Sequence, residues 1–101
     1  MIKHIILWRL KDFAEGSTKQ ESALKVKAML EDMRGKIPGM LKLEVGLNFE
    51  GSDSASDISL YTEFESREAL DAYQIHPVHM IVKDILPKLR SERRVVDYEV
   101  H

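Results

Sequence analysis

Residues 2–10, Ile-Lys-His-Ile-Ile-Leu-Trp-Arg-Leu, alternate along an extended chain. Ile2, His4, Ile6, Trp8 and Leu10 share one side, and Ile5 and Leu7 stand on the other. A strand with apolar residues on both sides calls for cover on both. A chain of 101 residues makes one small domain, residues 1–101, with no room for a second. If its own helices cover one face, a second subunit is the natural cover for the other. The plainer alternative is a strand that sets two extra apolar residues near a rim, since isolated surface apolars are ordinary.

The remaining pattern places this strand in a fold. Thr18-Lys19-Gln20-Glu21 fits a capping box after a polar stretch at 12–17. Val26, Met29, Leu30, Met33 and Ile37 follow at helical spacing, and Gly35 with Pro38-Gly39 is expected to end the helix. In residues 40–49, Leu41, Leu43, Val45, Leu47 and Phe49 alternate with polar neighbours, which predicts a second strand. Residues 50–57 have almost nothing to bury and predict a mobile hairpin loop. Ile58, Leu60, Thr62 and Phe64 then share one face of a third strand.

Ser66 suits the cap of a helix containing Ala69, Leu70 and Tyr73, and His76-Pro77 interrupts it. Pro77 suits the first position of a new helical segment with Val78, Ile81, Val82, Ile85 and Leu89 as its stripe, which Pro87 should kink or shorten. Residues 93–100 predict a fourth strand, with Val96, Tyr98 and Val100 opposite Val95, Asp97 and Glu99. The order β-α-β-β-α-β is a split βαβ arrangement: an α+β subunit in which a four-stranded antiparallel sheet carries its helices on one face.

Charge and composition narrow the functions. Fifteen Lys and Arg against seventeen Asp and Glu leave a net charge of −2, no electrostatic reason to expect nucleic acid or an anionic membrane as partner. The chain has no cysteine, which excludes a disulfide framework, a thiolate zinc site, an iron–sulfur cluster and a cysteine nucleophile. No apolar run nears the roughly 20 residues that span a bilayer. Met1 opens directly into a patterned strand, so a cytoplasmic protein is expected. Arg90, Arg93 and Arg94 form a basic cluster balanced by Glu92, Asp97 and Glu99, expected as a solvated surface or an intersubunit salt bridge.

Three segments look familiar: residues 1–8 (Met-Ile-Lys-His-Ile-Ile-Leu-Trp), His76-Pro77-Val78-His79, and residues 94–100 (Arg-Val-Val-Asp-Tyr-Glu-Val). In this order and spacing they resemble the stress-responsive A/B barrel (Dabb) family over essentially the whole chain. The resemblance implies ferredoxin-like subunits that pair sheet to sheet, as a homodimer, into a dimeric α+β barrel. The family includes a plant polyketide cyclase. Its catalytic histidine matches His79, its catalytic tyrosine matches Tyr73, and a pocket-lining histidine matches His4. By that likeness His79 would be a general base and Tyr73 a hydrogen-bond donor to an enolate oxygen.

Two functions follow as expectations. The first is a homodimeric protein that binds a small hydrophobic or carbonyl-containing ligand through His4, Tyr73 and His79, in a cleft between sheet and helices. The second is a cofactor-independent polyketide cyclase or isomerase. Neighbouring dimeric α+β barrel families also include cofactorless monooxygenases. Each residue has a plainer role beside these: His4 as a satisfied core histidine, Tyr73 as a helix-face aromatic with a wet hydroxyl, and His76 as a hydrogen-bonding residue of the helix junction. No cofactor is expected, and no histidine-based metal site either, since His76 and His79 lie three apart with no cysteine or third local histidine to join them; the magnesium ion that some plant relatives hold on main-chain carbonyls, here around 35–40, would leave no side-chain signature.

Overall fold

A computed structural model describes the whole chain, Met1–His101. Strand β1 spans Ile2–Leu10; a small hairpin of β2 (Phe13–Ala14) and β3 (Ser17–Thr18) leads into helix α1 (Lys19–Glu31). Strands β4 (Met40–Leu47) and β5 (Ile58–Phe64), helices α2 (Arg67–Gln74) and α3 (Pro77–Leu89), and strand β6 (Arg90–Glu99) complete the chain. The main sheet has the order β4-β5-β1-β6 with every neighbour antiparallel. This is a ferredoxin-like α+β fold with three helices, the second helical unit being broken in two.

Local chemistry starts the helices where the sequence predicts. The Thr18 hydroxyl accepts from Glu21 N at 3.2 Å while Thr18 N donates to Glu21 Oε1 at 2.9 Å, closing the capping box. Ser66 Oγ accepts from Ala69 N at the start of α2, and His76 Nδ1 accepts from Val78 N at the start of α3. His76 therefore serves the junction, with Pro77 in the first turn where a missing N–H costs nothing.

Four sequence expectations need correcting. The polar stretch before α1 is a miniature hairpin, because Glu15 (φ 49°) and Gly16 (φ 77°) both take the left-handed conformation that a tight two-residue turn requires. Helix α1 stops at Glu31, and shorter i→i−3 bonds from Met33 and Arg34 carry the chain through the following turn. In β4 the register shifts between Met40 and Lys42, so Leu41 leaves the inner face and is exposed; Phe49, beyond the strand, is 98% exposed. Finally, α3 runs on through Pro87 to Leu89, and β6 begins at Arg90 rather than Arg93.

The core lies between the sheet and the helices. Ile2, Ile6, Trp8 and Leu10 of β1 and Ile58, Leu60 and Phe64 of β5 are buried against Val26 and Leu30 of α1, Tyr73 of α2, and Val82 and Leu86 of α3. Gly39 (φ 80°) closes the turn before β4, where a Cβ would come within 2.6 Å of the Ala69 side chain. Only glycine fits that approach without a shift of α2.

The opposite face of the sheet carries no helix. Cross-strand register places Ile5 and Leu7 of β1 beside Val96 and Arg94 of β6, with Tyr98 beside Lys3. Toward β5 and β4 the same face turns polar, with Tyr61, Glu63, Lys42 and Glu44. The uncovered face thus carries an apolar stripe of Ile5, Leu7, Val96 and Tyr98 across β1 and β6, with Lys3, Arg9, Glu92 and Arg94 around it. No helix is long and apolar enough to cross a membrane.

Candidate functional site

His4 points from the middle of β1 toward the helices and is 1% exposed. Antiparallel register sets it opposite Asp97 of β6, and its Nδ1 is hydrogen-bonded to Asp97 Oδ1. A carboxylate only accepts, so Nδ1 carries the proton and, in the neutral ring, Nε2 presents a lone pair. Edge-on contacts with Phe64 (6.4 Å between ring centroids) and Tyr73 (6.0 Å) hold the ring in place.

Tyr73 closes α2 and His79 opens α3, and the capped His76-Pro77 junction between them brings the two rings into a stack, 4.0 Å apart and 25° from parallel. The result is one continuous cluster, His79 on Tyr73 and Tyr73 on His4. Three polar atoms in it have no protein hydrogen-bond partner although they are buried: His4 Nε2, the Tyr73 hydroxyl and His79 Nδ1. Buried polar atoms are rarely left without a partner, because each one costs about 1–3 kcal/mol. Three within a single cluster mark a place built to meet something other than the chain itself.

Burial fixes the protonation of Tyr73 and His79. It holds the Tyr73 phenol well above the ordinary tyrosine range, an effect that the nearby Arg93 charge opposes, so the hydroxyl stays a donor. His79 is lowered to about 4 by burial first and then by the Lys83 ammonium, partly offset by the carbonyls of Gln74 and Tyr73. At neutral pH the pair is therefore an uncharged imidazole on an uncharged phenol.

A cleft of about 240 Å³ opens between β1, β6 and α3, and His4 and His79 both reach it. Tyr73, 1% exposed, stands behind this wall rather than in it. Ile6, Trp8, Val82 and Leu86 supply apolar lining. His76 is absent from the lining, its Nδ1 being used by the cap of α3. No group of three or more His, Asp or Glu side chains is placed to hold a metal ion.

Sequence reading missed several lining residues. Lys83, Arg90 and Arg93 stand at the cleft, and Asp97 backs His4. Strand alternation divides the basic cluster: Arg93 shares the inner face with its register partner Trp8, whereas Arg94 lies on the bare face and pairs with Glu92 at 2.7 Å. The period of two was the available signal, and applied to β6 it separates Arg93 and Asp97 from Arg94.

The sequence model of the Stress responsive A/B Barrel Domain matches residues 2–100. Among solved structures, a dimeric protein of unknown function with a ferredoxin-like fold from Bacteroides fragilis is 33% identical, with a TM-score of 0.83 over 98% of this chain and 95% of that one. A dimeric ferredoxin-like protein of unknown function from Thermobifida fusca is 21% identical, with a TM-score of 0.84 over 98% of this chain and 90% of the other. The hydroxynitrile lyase of Passiflora edulis shares the fold at 18% identity, with a TM-score of 0.74 over 99% and 93% of the two chains. No curated protein sequence matches the chain.

Proposed function

The chain belongs to the stress-responsive A/B barrel domain family, and from that membership we propose that it is a homodimeric protein binding a small hydrophobic or carbonyl-containing molecule in the cleft between sheet and helices. The observation that carries this reading is the run of His4, Tyr73 and His79 with three buried polar atoms lacking protein partners, set against a largely apolar wall. A carbonyl or hydroxyl group of the ligand would meet His79 and His4, the two members of the cluster that reach the cleft, with Tyr73 behind them; the apolar body of the molecule would pack on Ile6, Trp8 and Val82. The dimeric Bacteroides fragilis relative supports the assembly.

The stacked Tyr73–His79 pair favours a second reading, a cofactor-independent polyketide cyclase or isomerase with His79 as general base and Tyr73 as donor. An imidazole held near 4 is a weak base at neutral pH. Catalysis by His79 would therefore need a bound substrate to raise its basicity, and the Asp97-backed His4 is the alternative proton acceptor.

Trp8 is the only tryptophan and lines the cleft, so its emission reports occupancy. Titration with lactones, aromatic ketones and short acyl esters should shift that emission saturably, and His79→Ala should weaken the response about ten-fold, the size of one good hydrogen bond. If the emission ignores every compound and His79→Ala alters neither stability nor response, the reading falls.

A further inference from the structure

We propose that the cleft is selective for a small apolar monocarboxylate, whose carboxylate meets Arg93, Arg90 and Lys83 while its apolar body lies on Ile6, Trp8 and Val82. This deepens the binding role proposed above and rests on it. The cleft lining contains three cations and no Asp or Glu. None of the three cations has a carboxylate within 4.0 Å; Lys83 Nζ instead donates to the Gln74 carbonyl at 2.7 Å. This is not the rule elsewhere on the molecule. The depression that holds Arg67 also holds Asp71, Asp97 and Glu99, and the one that holds Arg9 and Lys19 also holds Asp53 and Asp57. In a chain of net charge −2, a concave surface of one sign, three positive charges strong, is a local exception.

The position of the charges specifies the anion further. Lys83 and Leu86 lie on one helix, Arg90 and Arg93 on the strand that follows it, so the cations flank an apolar wall instead of forming an open basic patch. A low-dielectric wall beside the cations strengthens their pull on a single anionic group. An arginine fork fits a carboxylate by two parallel hydrogen bonds. The volume of about 240 Å³ falls below the roughly 300–1,000 Å³ common for drug-sized ligands, which limits the occupant to one ring or a short chain.

The test follows Trp8 emission at low ionic strength with hexanoate and benzoate, each against its neutral primary amide. The acids should bind at least ten-fold more tightly than the amides, and high salt should remove that advantage. Arg93→Gln should weaken the acids about ten-fold and leave the amides unchanged; Lys83→Gln, on an exposed part of a helix, serves the same purpose if the first variant does not fold. Equal binding of acid and amide, or acid binding indifferent to both substitutions, overturns the carboxylate assignment while leaving the binding role intact. Inorganic phosphate binding as tightly as the acids overturns the apolar half of the assignment. If neither acids, amides nor the neutral carbonyl compounds shift the emission, both proposals fall.

Discussion

The ring of His79 stacks on that of Tyr73, 25° from parallel, and reaches the cleft, and this position sets its proton affinity. Burial, the first cause, and the Lys83 charge lower it to about 4 from the ordinary 6.5. The unfolded chain therefore binds a proton at His79 between pH 6.5 and about 4 where the native protein does not. Stability rises with pH wherever the unfolded state binds more protons, so this contribution is complete above 6.5 and is lost as the pH falls through 4. Because the cleft admits solvent, the loss should be about 1–2 kcal/mol, smaller than the full shift would give. Denaturant unfolding should show the native chain losing that amount on acidification relative to His79→Phe, which keeps a ring on Tyr73 but has no proton to bind. Parallel curves would mean that the imidazole is not held neutral by its surroundings.

At the scale of elements, the junction at His76-Pro77 sets the geometry of the site. The Tyr73 carbonyl accepts from His76 N at 3.1 Å, His76 Nδ1 caps Val78 N at 3.1 Å, and α3 then carries His79 back over Tyr73. Removing the cap with His76→Ala should cost about 1 kcal/mol, and Asn at this position should restore most of it. Urea midpoints for the two variants decide this; a loss that Asn does not rescue would assign the ring a different role. Devices of this kind were legible in the sequence because they are local: Thr18 with Glu21, Ser66 with Ala69, and His76 with Val78 each act within a few residues. What escaped depends on distant pairing. The exposure of Leu41 follows from a register shift against β5, and the pairing of His4 with Asp97 joins residues 93 positions apart. Arg90 and Arg93 could be counted in the sequence but not placed at the cleft until β6 was paired to β1.

For the whole molecule, the apolar stripe on the bare face bears on assembly. Leu7, Val96 and Tyr98 are 40%, 52% and 43% exposed, with Ile5 half-buried between them. Ile5 and Val96 are register partners across β1 and β6, so the stripe is one contiguous surface and not a scatter of single residues. A patch of this kind on a small domain marks an interaction site. Its polar border also favours a specific geometry: Lys42, Glu44 and Glu63 on the same face would be poorly placed deep inside an interface but suit its rim. Two copies related by a two-fold axis, stripe against stripe, would cover Ile5, Leu7, Val96 and Tyr98 of each sheet and leave those charges at the edge. The chain should therefore sediment at micromolar concentration with twice its 11.6 kDa mass. Ile5→Glu, opposite Val96, sets a charge in the stripe and should dissociate the pair or unfold it, since burying an unpaired carboxylate is far more costly than the contacts it replaces. Lys42→Glu, in the polar half, should leave the mass unchanged. A native mass equal to the monomer would leave the stripe without a partner, and a dimer that tolerates Ile5→Glu but not Lys42→Glu would move the contact to the polar half of the sheet.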